Sequence, residues 1–123
     1  MASELRVNTL KDASGNNSVG MSTVAEGSAK AWVNFVGSSS GIPIGDSFNC
    51  SSLDDNGTGV YTPNWTNDMA SANYSHTCNS ENLSALSSAS THVAGSSKIF
   101  VMNDSGSLQD RLVTNGCTHG DLA

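Results

Sequence analysis

Two segments of alternating side chains flank a tight-turn signal in the middle of this chain. Residues 46–53 and 60–65 alternate polar with apolar or aromatic side chains, which is the period of a β-strand. Asn56 and Gly57 lie between the two segments, and both residue types tolerate the positive φ that short hairpin turns require. The sequence therefore predicts an antiparallel β-hairpin here, and this hairpin favours an all-β fold.

Residues 30–36 repeat the alternation and are the first convincing strand along the chain. Because successive side chains of a strand point to opposite faces, Ala31, Val33 and Phe35 are expected to share one face, with Trp32 on the other. A glycine and serine run follows and ends the strand.

Further short segments favour strands, and none has a 3.6-residue periodicity long enough for a substantial helix. Pro63 lacks an amide hydrogen, so its strand is expected to lie at a sheet edge at that point. The serine-rich residues 79–90 predict a loop with room for one helical turn. The remaining predicted strands cover residues 72–78, 91–94, 98–102 and 111–119. Six or seven strands with regular turns predict a small antiparallel β-sandwich or barrel-like module over residues 30–123.

Residues 1–29 differ from this module because they carry few large apolar side chains. Such a segment cannot close a core alone, and it contains a turn-rich break at residues 12–17. We expect an extended N-terminal arm that runs along a neighbouring surface and contacts it through Leu5, Val7 and Leu10.

The charge balance excludes several classes of partner. Charged residues make up 13% of the chain and the formal net charge is −6. The five basic residues are scattered, so no cluster could neutralise the phosphates of a nucleic acid, and an anionic membrane surface is disfavoured for the same reason. No apolar run approaches the roughly 20 residues that span a bilayer, and no signal-peptide core is present, which predicts synthesis in a cytoplasm without export.

The cysteines and histidines form the most specific chemical pattern. Three widely spaced cysteines do not make a disulfide framework, and idle thiols in a reducing compartment are expected. His76 and Cys78 are two residues apart, as are Cys117 and His119, so each pair could share a strand face and the four could form a tetrahedral Cys₂His₂ site if the strands adjoin. The spacing is not that of a zinc finger, so we expect no bound metal and treat these four residues as weak candidates.

Other catalytic or cofactor-binding patterns are missing from the sequence. It contains no Gly-x-Ser-x-Gly elbow, no phosphate-binding loop and no dinucleotide fingerprint. His92 has no nucleophile or acid partner by spacing. Residues 54–57 resemble the start of a calcium loop, but Trp65 occupies the twelfth position, where an EF-hand needs Glu. We therefore expect no catalytic residues, no cofactor and no enzymatic activity.

Several strings resemble a known family, the short structural modules of tailed phages, especially phages of cyanobacteria and other aquatic bacteria. The more specific strings are Ala-Lys-Ala-Trp-Val-Asn-Phe at residues 29–35 and Asp-Asn-Gly-Thr-Gly at residues 55–59. The resemblance covers most of residues 5–75, with departures at Cys50, Pro63, His76 and Cys78. It implies a β-rich fold, commonly trimeric and without enzymatic activity, found at the ends of tail-fibre-like proteins and in short free-standing virion proteins.

This resemblance leads to the expectation of a capsid decoration, or cement, protein on the outer surface of the phage particle, made in the host cytoplasm. Its partners would be two further copies of itself in a homotrimer and the major capsid protein. The arm would pair with a capsid strand by β-augmentation, and the length suits a knob that stabilises the shell. Buried aromatics dominate such interfaces, and the candidates are Trp32, Phe35, Phe48, Tyr61 and Trp65.

The alternative is a tail-fibre component or receptor-binding tip. Loops rich in aromatic residues, asparagine and aspartate would then recognise a glycan on the host surface.

Overall fold

The alternating segments pair into antiparallel sheets. The computed structural model describes residues 2–81 and 86–123, and for residues 86–90 only the backbone is described. Within these ranges the elements are β1 (Thr9–Lys11), β2 (Ser18–Gly20), α1 (Met21–Gly27), β3 (Ala31–Phe35), β4 (Ile44–Phe48), β5 (Cys50–Asp55), β6 (Val60–Trp65), β7 (Ser75–Ser80), β8 (Leu86–Val93), β9 (Ser96–Met102) and β10 (Thr114–His119).

Two four-stranded sheets pack face to face. The front sheet has the strand order β4-β3-β10-β7 and the back sheet has the order β5-β6-β9-β8. Neighbouring strands in both sheets are antiparallel. The predicted all-β, antiparallel fold is confirmed.

The core lies between the two sheets and follows from the alternation. In β3, Ala31, Val33 and Phe35 share one face, as predicted, and this face is buried while the residues between them are partly exposed. Phe35 packs edge-to-face on Tyr61 of the back sheet, with ring centroids 4.9 Å apart. The Tyr61 hydroxyl is satisfied by Gly37 and Asp110 at 3.1 and 2.7 Å, so this polar tip is buried without losing its hydrogen bonds.

The predicted hairpin is confirmed, although its turn is longer than two residues. β5 and β6 pair up to Asp55 and Tyr61, and residues 56–59 form the connection. Gly57 and Gly59 take the positive φ values of 110° and 66°, whereas Asn56 does not. The turn therefore depends on the positive φ of Gly57 and Gly59, and Asn56 does not adopt the positive φ that the sequence signal implied.

The prediction of one strand over residues 46–53 is wrong, because Asn49 divides it. Asn49 has a φ of 53°, in the left-handed region, and separates β4 of the front sheet from β5 of the back sheet. Its amide nitrogen donates to the carbonyls of Lys30 and Asn67, both at 3.0 Å, and its side-chain oxygen accepts from the Asn67 backbone at 2.7 Å. These bonds hold the crossing between the sheets.

Pro63 does not lie on an edge strand, so that prediction is also wrong. β6 runs between β5 and β9, and the Pro63 side chain is fully buried. The ladder between β6 and β9 accommodates the missing amide because its pairing lapses at Thr62 and Pro63 and resumes in the same register at Asn64.

The serine-rich stretch contains more strand than predicted. Residues 79 and 80 belong to β7, and residues 86–90 to β8, which pairs with β9. Residues 82–85 of the predicted loop lie outside the described residues. Pairing across the sheet outweighs the weak β-propensity of serine in these positions.

Residues 2–29 are separate from the sandwich core, but they are not extended throughout as predicted. β1 and β2 form a hairpin, and α1 follows directly. Asp12 organises the turn by accepting hydrogen bonds from Ser14 and Asn17, and these bonds lower the pKa of its carboxyl group. No residue from 2 to 29 is buried, so local hydrogen bonding and not core packing shapes this segment.

The crossing at Asn49 yields a stability prediction. We expect Asn49→Gly to lower the free energy of unfolding by about 2 kcal/mol through the lost side-chain hydrogen bonds. Asn49→Ala should cost a further 1–2 kcal/mol or so, because a Cβ residue without a bonding side chain is strained in the left-handed region. Urea unfolding followed by circular dichroism measures both values. Asn16→Ala, in the exposed hairpin, is the control and should change stability by less than about 0.5 kcal/mol. Equal stability of Asn49→Ala and the native chain would contradict the prediction.

Candidate functional site

Three asparagines lie side by side on the outer face of the front sheet. The register pairs Asn115 of β10 with Asn34 on one side and with Asn79 on the other. The Asn34 amide donates to the side-chain oxygen of Asn115, and the Asn115 amide donates to that of Asn79 at 3.2 Å. The three side chains thus form a hydrogen-bonded row across three strands, which we call the amide row.

The neighbouring row on the same face is less polar. Trp32 pairs with Phe48 of β4 and with Cys117 of β10, and Cys117 in turn pairs with Thr77 of β7. Trp32 is half-buried, whereas Phe48 at the sheet edge is 53% exposed. An aromatic surface therefore lies directly beside the amide row.

The two rows border an open groove of about 480 Å³, here called the outer groove. The side chains that matter for its chemistry are Trp32, Asn34, Thr77, Asn79, Asn115 and Cys117. Every residue that lines it is uncharged. The groove can therefore hydrogen-bond to hydroxyl or amide groups and pack against an apolar face, but its lining provides no fixed charge and no acid–base pair.

The register separates the four weak metal candidates into two pairs. β7 and β10 do adjoin, but His76 pairs with Thr118, while Cys117 pairs with Thr77. Because paired residues share a face, His76 and Cys78 face the core side and Cys117 and His119 face outwards. Among the described residues no group of three or more His, Cys, Asp or Glu side chains could hold a metal ion. If the register between β7 and β10 were shifted by one residue, all four side chains would lie on the same face of the sheet. The sequence alone does not determine this register.

His76 is instead part of an aromatic cluster at one end of the core. Its ring centroid lies 6.0 Å from that of Trp65 and 6.2 Å from that of His92, which stacks on Tyr74 at 4.6 Å. Nδ1 is 3.2 Å from the Thr118 hydroxyl, and Nε2 is buried without a hydrogen-bond partner in the described part of the chain. Burial, assisted by the neighbouring His92, lowers the pKa of His76 to about 4. His76 is therefore neutral at neutral pH.

The predicted interface residues divide into buried and accessible ones. Phe35, Tyr61 and Trp65 are at most 5% exposed and pack inside the protomer, so their assignment to an interface is corrected here. Alternation alone could not separate them from the accessible residues, because both faces of a sandwich strand can carry aromatics. Accessible surface remains on Leu5, Val7, Leu10, Trp32 and Phe48.

Comparisons with models of protein families, with curated proteins and with solved structures give no match for this chain. In the part of the chain that the structure describes, no helix is long and apolar enough to cross a membrane.

The buried histidine predicts a loss of stability in mild acid. Its folded-state pKa lies below the unfolded value of 6.5, so the unfolded chain binds a proton more readily and the full stability is present only above pH 6.5. As the pH falls from 6.5 to 4, the free energy of unfolding should fall by about 3 kcal/mol from this group. Urea unfolding at half-unit pH steps measures the slope.

His76→Leu should flatten this slope, because the variant has no group to protonate there. His119→Gln, on the outer face of the same sheet, is the matched control and should keep it. An unchanged slope in His76→Leu would show that other groups cause the acid sensitivity.

Proposed function

We propose that this protein is a phage virion structural protein of the capsid decoration type. Residues 2–29 dock on the major capsid protein, and the sandwich projects above the shell and associates as a homotrimer. The observation that carries this proposal is the N-terminal segment itself, which is folded locally but in which no apolar side chain is buried.

The exposed side chains of this segment favour a partner surface. Leu5 is 79% exposed and Leu10 is 42% exposed, and Val19 and Val24 are also exposed. An isolated two-stranded hairpin is only marginally stable in water, so a partner that covers these side chains would stabilise it. Among the described strands β1 pairs with β2 alone, so its other edge is available for β-augmentation by a capsid strand.

The resemblance of residues 5–75 to short modules of tailed phages supports a place in the virion and a trimer. The edge strand β4 is available for trimer contacts, and its Ile44 and Phe48 side chains are exposed. These side chains replace the buried aromatics as the apolar contribution to an interface.

A second candidate function, a receptor-binding component of a tail fibre, is favoured by the outer groove. Its aromatic and amide lining is suited to a glycan, and a role at the particle tip would give such a groove access to the host surface.

Copy number in the purified particle separates the two functions. A decoration protein should be present in hundreds of copies or so per particle, following the repeated sites of the shell, whereas a tail component should number in the tens or fewer. Quantitative mass spectrometry against the major capsid protein provides the count. A low count would exclude decoration.

Deletion of residues 2–25 tests the docking role. We expect the truncated protein to remain trimeric by light scattering, because the sandwich core begins at Ala31. Binding to shells that lack the protein should be lost in a sedimentation assay. Leu10→Asp should weaken the same binding, and Val93→Asp in the back sheet, which is also exposed to solvent, serves as the control. Undiminished binding of the truncated protein would contradict the proposed docking.

A further inference from the structure

The amide row keeps hydrogen-bonding capacity after its internal bonds are made. Each asparagine side chain carries two donor hydrogens and an oxygen with two lone pairs. The row uses one hydrogen each of Asn34 and Asn115, and one lone pair each of Asn115 and Asn79. Every amide thus retains at least one donor and one acceptor, held in a fixed orientation by its neighbour. A ligand group that both donates and accepts, such as a hydroxyl, fits this set.

Trp32 supplies the apolar half of the groove. It occupies the row next to the amides, so a ligand seated there would meet the indole with one part and the amides with another. Saccharides have this dual character, with apolar C–H faces and a rim of hydroxyl groups. Small-molecule sites typically combine such aromatic surface with a few placed polar groups.

The charge of the protein and the volume of the groove restrict the class of ligand further. The groove lining is uncharged and the whole chain carries a net charge of −6, so the surrounding potential disfavours an acidic saccharide. A volume of about 480 Å³ lies within the range of small-molecule sites and has room for one or two sugar rings.

A peptide strand is a poorer fit. The groove lies on the face of the sheet, where β3 and β10 each have neighbours on both sides. Their backbone groups are therefore unavailable for the main-chain pairing through which an added strand gains affinity.

From these observations we propose that the outer groove binds a neutral saccharide, with Trp32 as the stacking surface and Asn34, Asn115 and Asn79 as hydrogen-bonding partners. This inference rests on the second candidate function for the biological origin of the saccharide. The groove itself would bind the saccharide whether the protein lies on the head or on the tail.

The test uses the full chain, labelled with ¹⁵N, and the neutral probes maltotriose, cellobiose and N,N′-diacetylchitobiose, with 3′-sialyllactose as the anionic comparison. Two-dimensional NMR resolves the indole N–H signals of the two tryptophans. At least one neutral probe should shift the Trp32 indole and the side-chain amides of Asn34, Asn79 and Asn115 with a Kd on the order of 1 mM. The indole of the buried Trp65 serves as the internal control and should stay in place. Sialyllactose should bind at least tenfold more weakly.

Single substitutions test which side chains contact the saccharide. Trp32→Ala should weaken binding at least tenfold, and Asn115→Ala should weaken it severalfold by removing the middle of the amide row. Val93→Ala, an exposed apolar position of the back sheet, should leave binding unchanged. Far-ultraviolet circular dichroism and the dispersion of the NMR signals check that each variant is folded. If Trp32→Ala is misfolded, Trp32→Phe replaces it and should retain weakened binding.

Three outcomes with the saccharide probes would overturn the proposal. These are no shift with any neutral probe up to about 20 mM, equal binding of the anionic probe, and equal binding by a folded Trp32 variant. Shifts of the groove signals with protein concentration alone would assign the groove to contacts between copies and would also overturn it. All of these results are independent of the copy number in the particle, so they leave the proposed decoration function to its own test.

Discussion

A single asparagine in the left-handed conformation carries the chain from one sheet of the sandwich to the other. If residues 44–55 formed one continuous strand, β4 and β5 would lie in the same sheet. Asn49 prevents this by turning the backbone and by bonding to Lys30 and Asn67 on either side of the crossing. The hairpin of β5 and β6 is thereby placed opposite β3, so Tyr61 meets Phe35.

The core formed by this arrangement leaves little tolerance around Tyr61. A Cβ atom on Gly37 would lie 2.8 Å from the Tyr61 ring carbon that bears the hydroxyl, so the backbone can approach the ring only without a side chain there. Phe35 and Tyr61 are buried in this packing, and Trp65 is buried in a neighbouring cluster. Association with other molecules must therefore use surfaces outside the core. These are the apolar side chains of residues 2–29, the edge strand β4 and the outer groove.

The two faces of β10 illustrate how one register gives two different environments. Thr118 meets His76 on the core side, where burial keeps the imidazole neutral and sensitive to mild acid. Cys117 and Asn115 face outwards, beside Trp32 and within the amide row. Stability against acid and the candidate ligand site thus depend on opposite faces of the same strand.

Local patterns were sufficient for much of the fold. The alternation in residues 30–36 and 60–65 identified strands, and the Asn-Gly signal after Asp55 identified the hairpin, because both signals depend on neighbouring residues only. Tertiary pairing decided the rest. A one-residue difference in the register of β7 and β10 separated His76 and Cys78 from Cys117 and His119, and the sheet order put Pro63 on an inner strand. Tertiary pairing also determined which aromatic side chains are buried in the core and which asparagines lie side by side. These outcomes arise between segments distant in the chain, where hydrogen-bond register and packing, rather than the local preferences of each residue, decide the contacts.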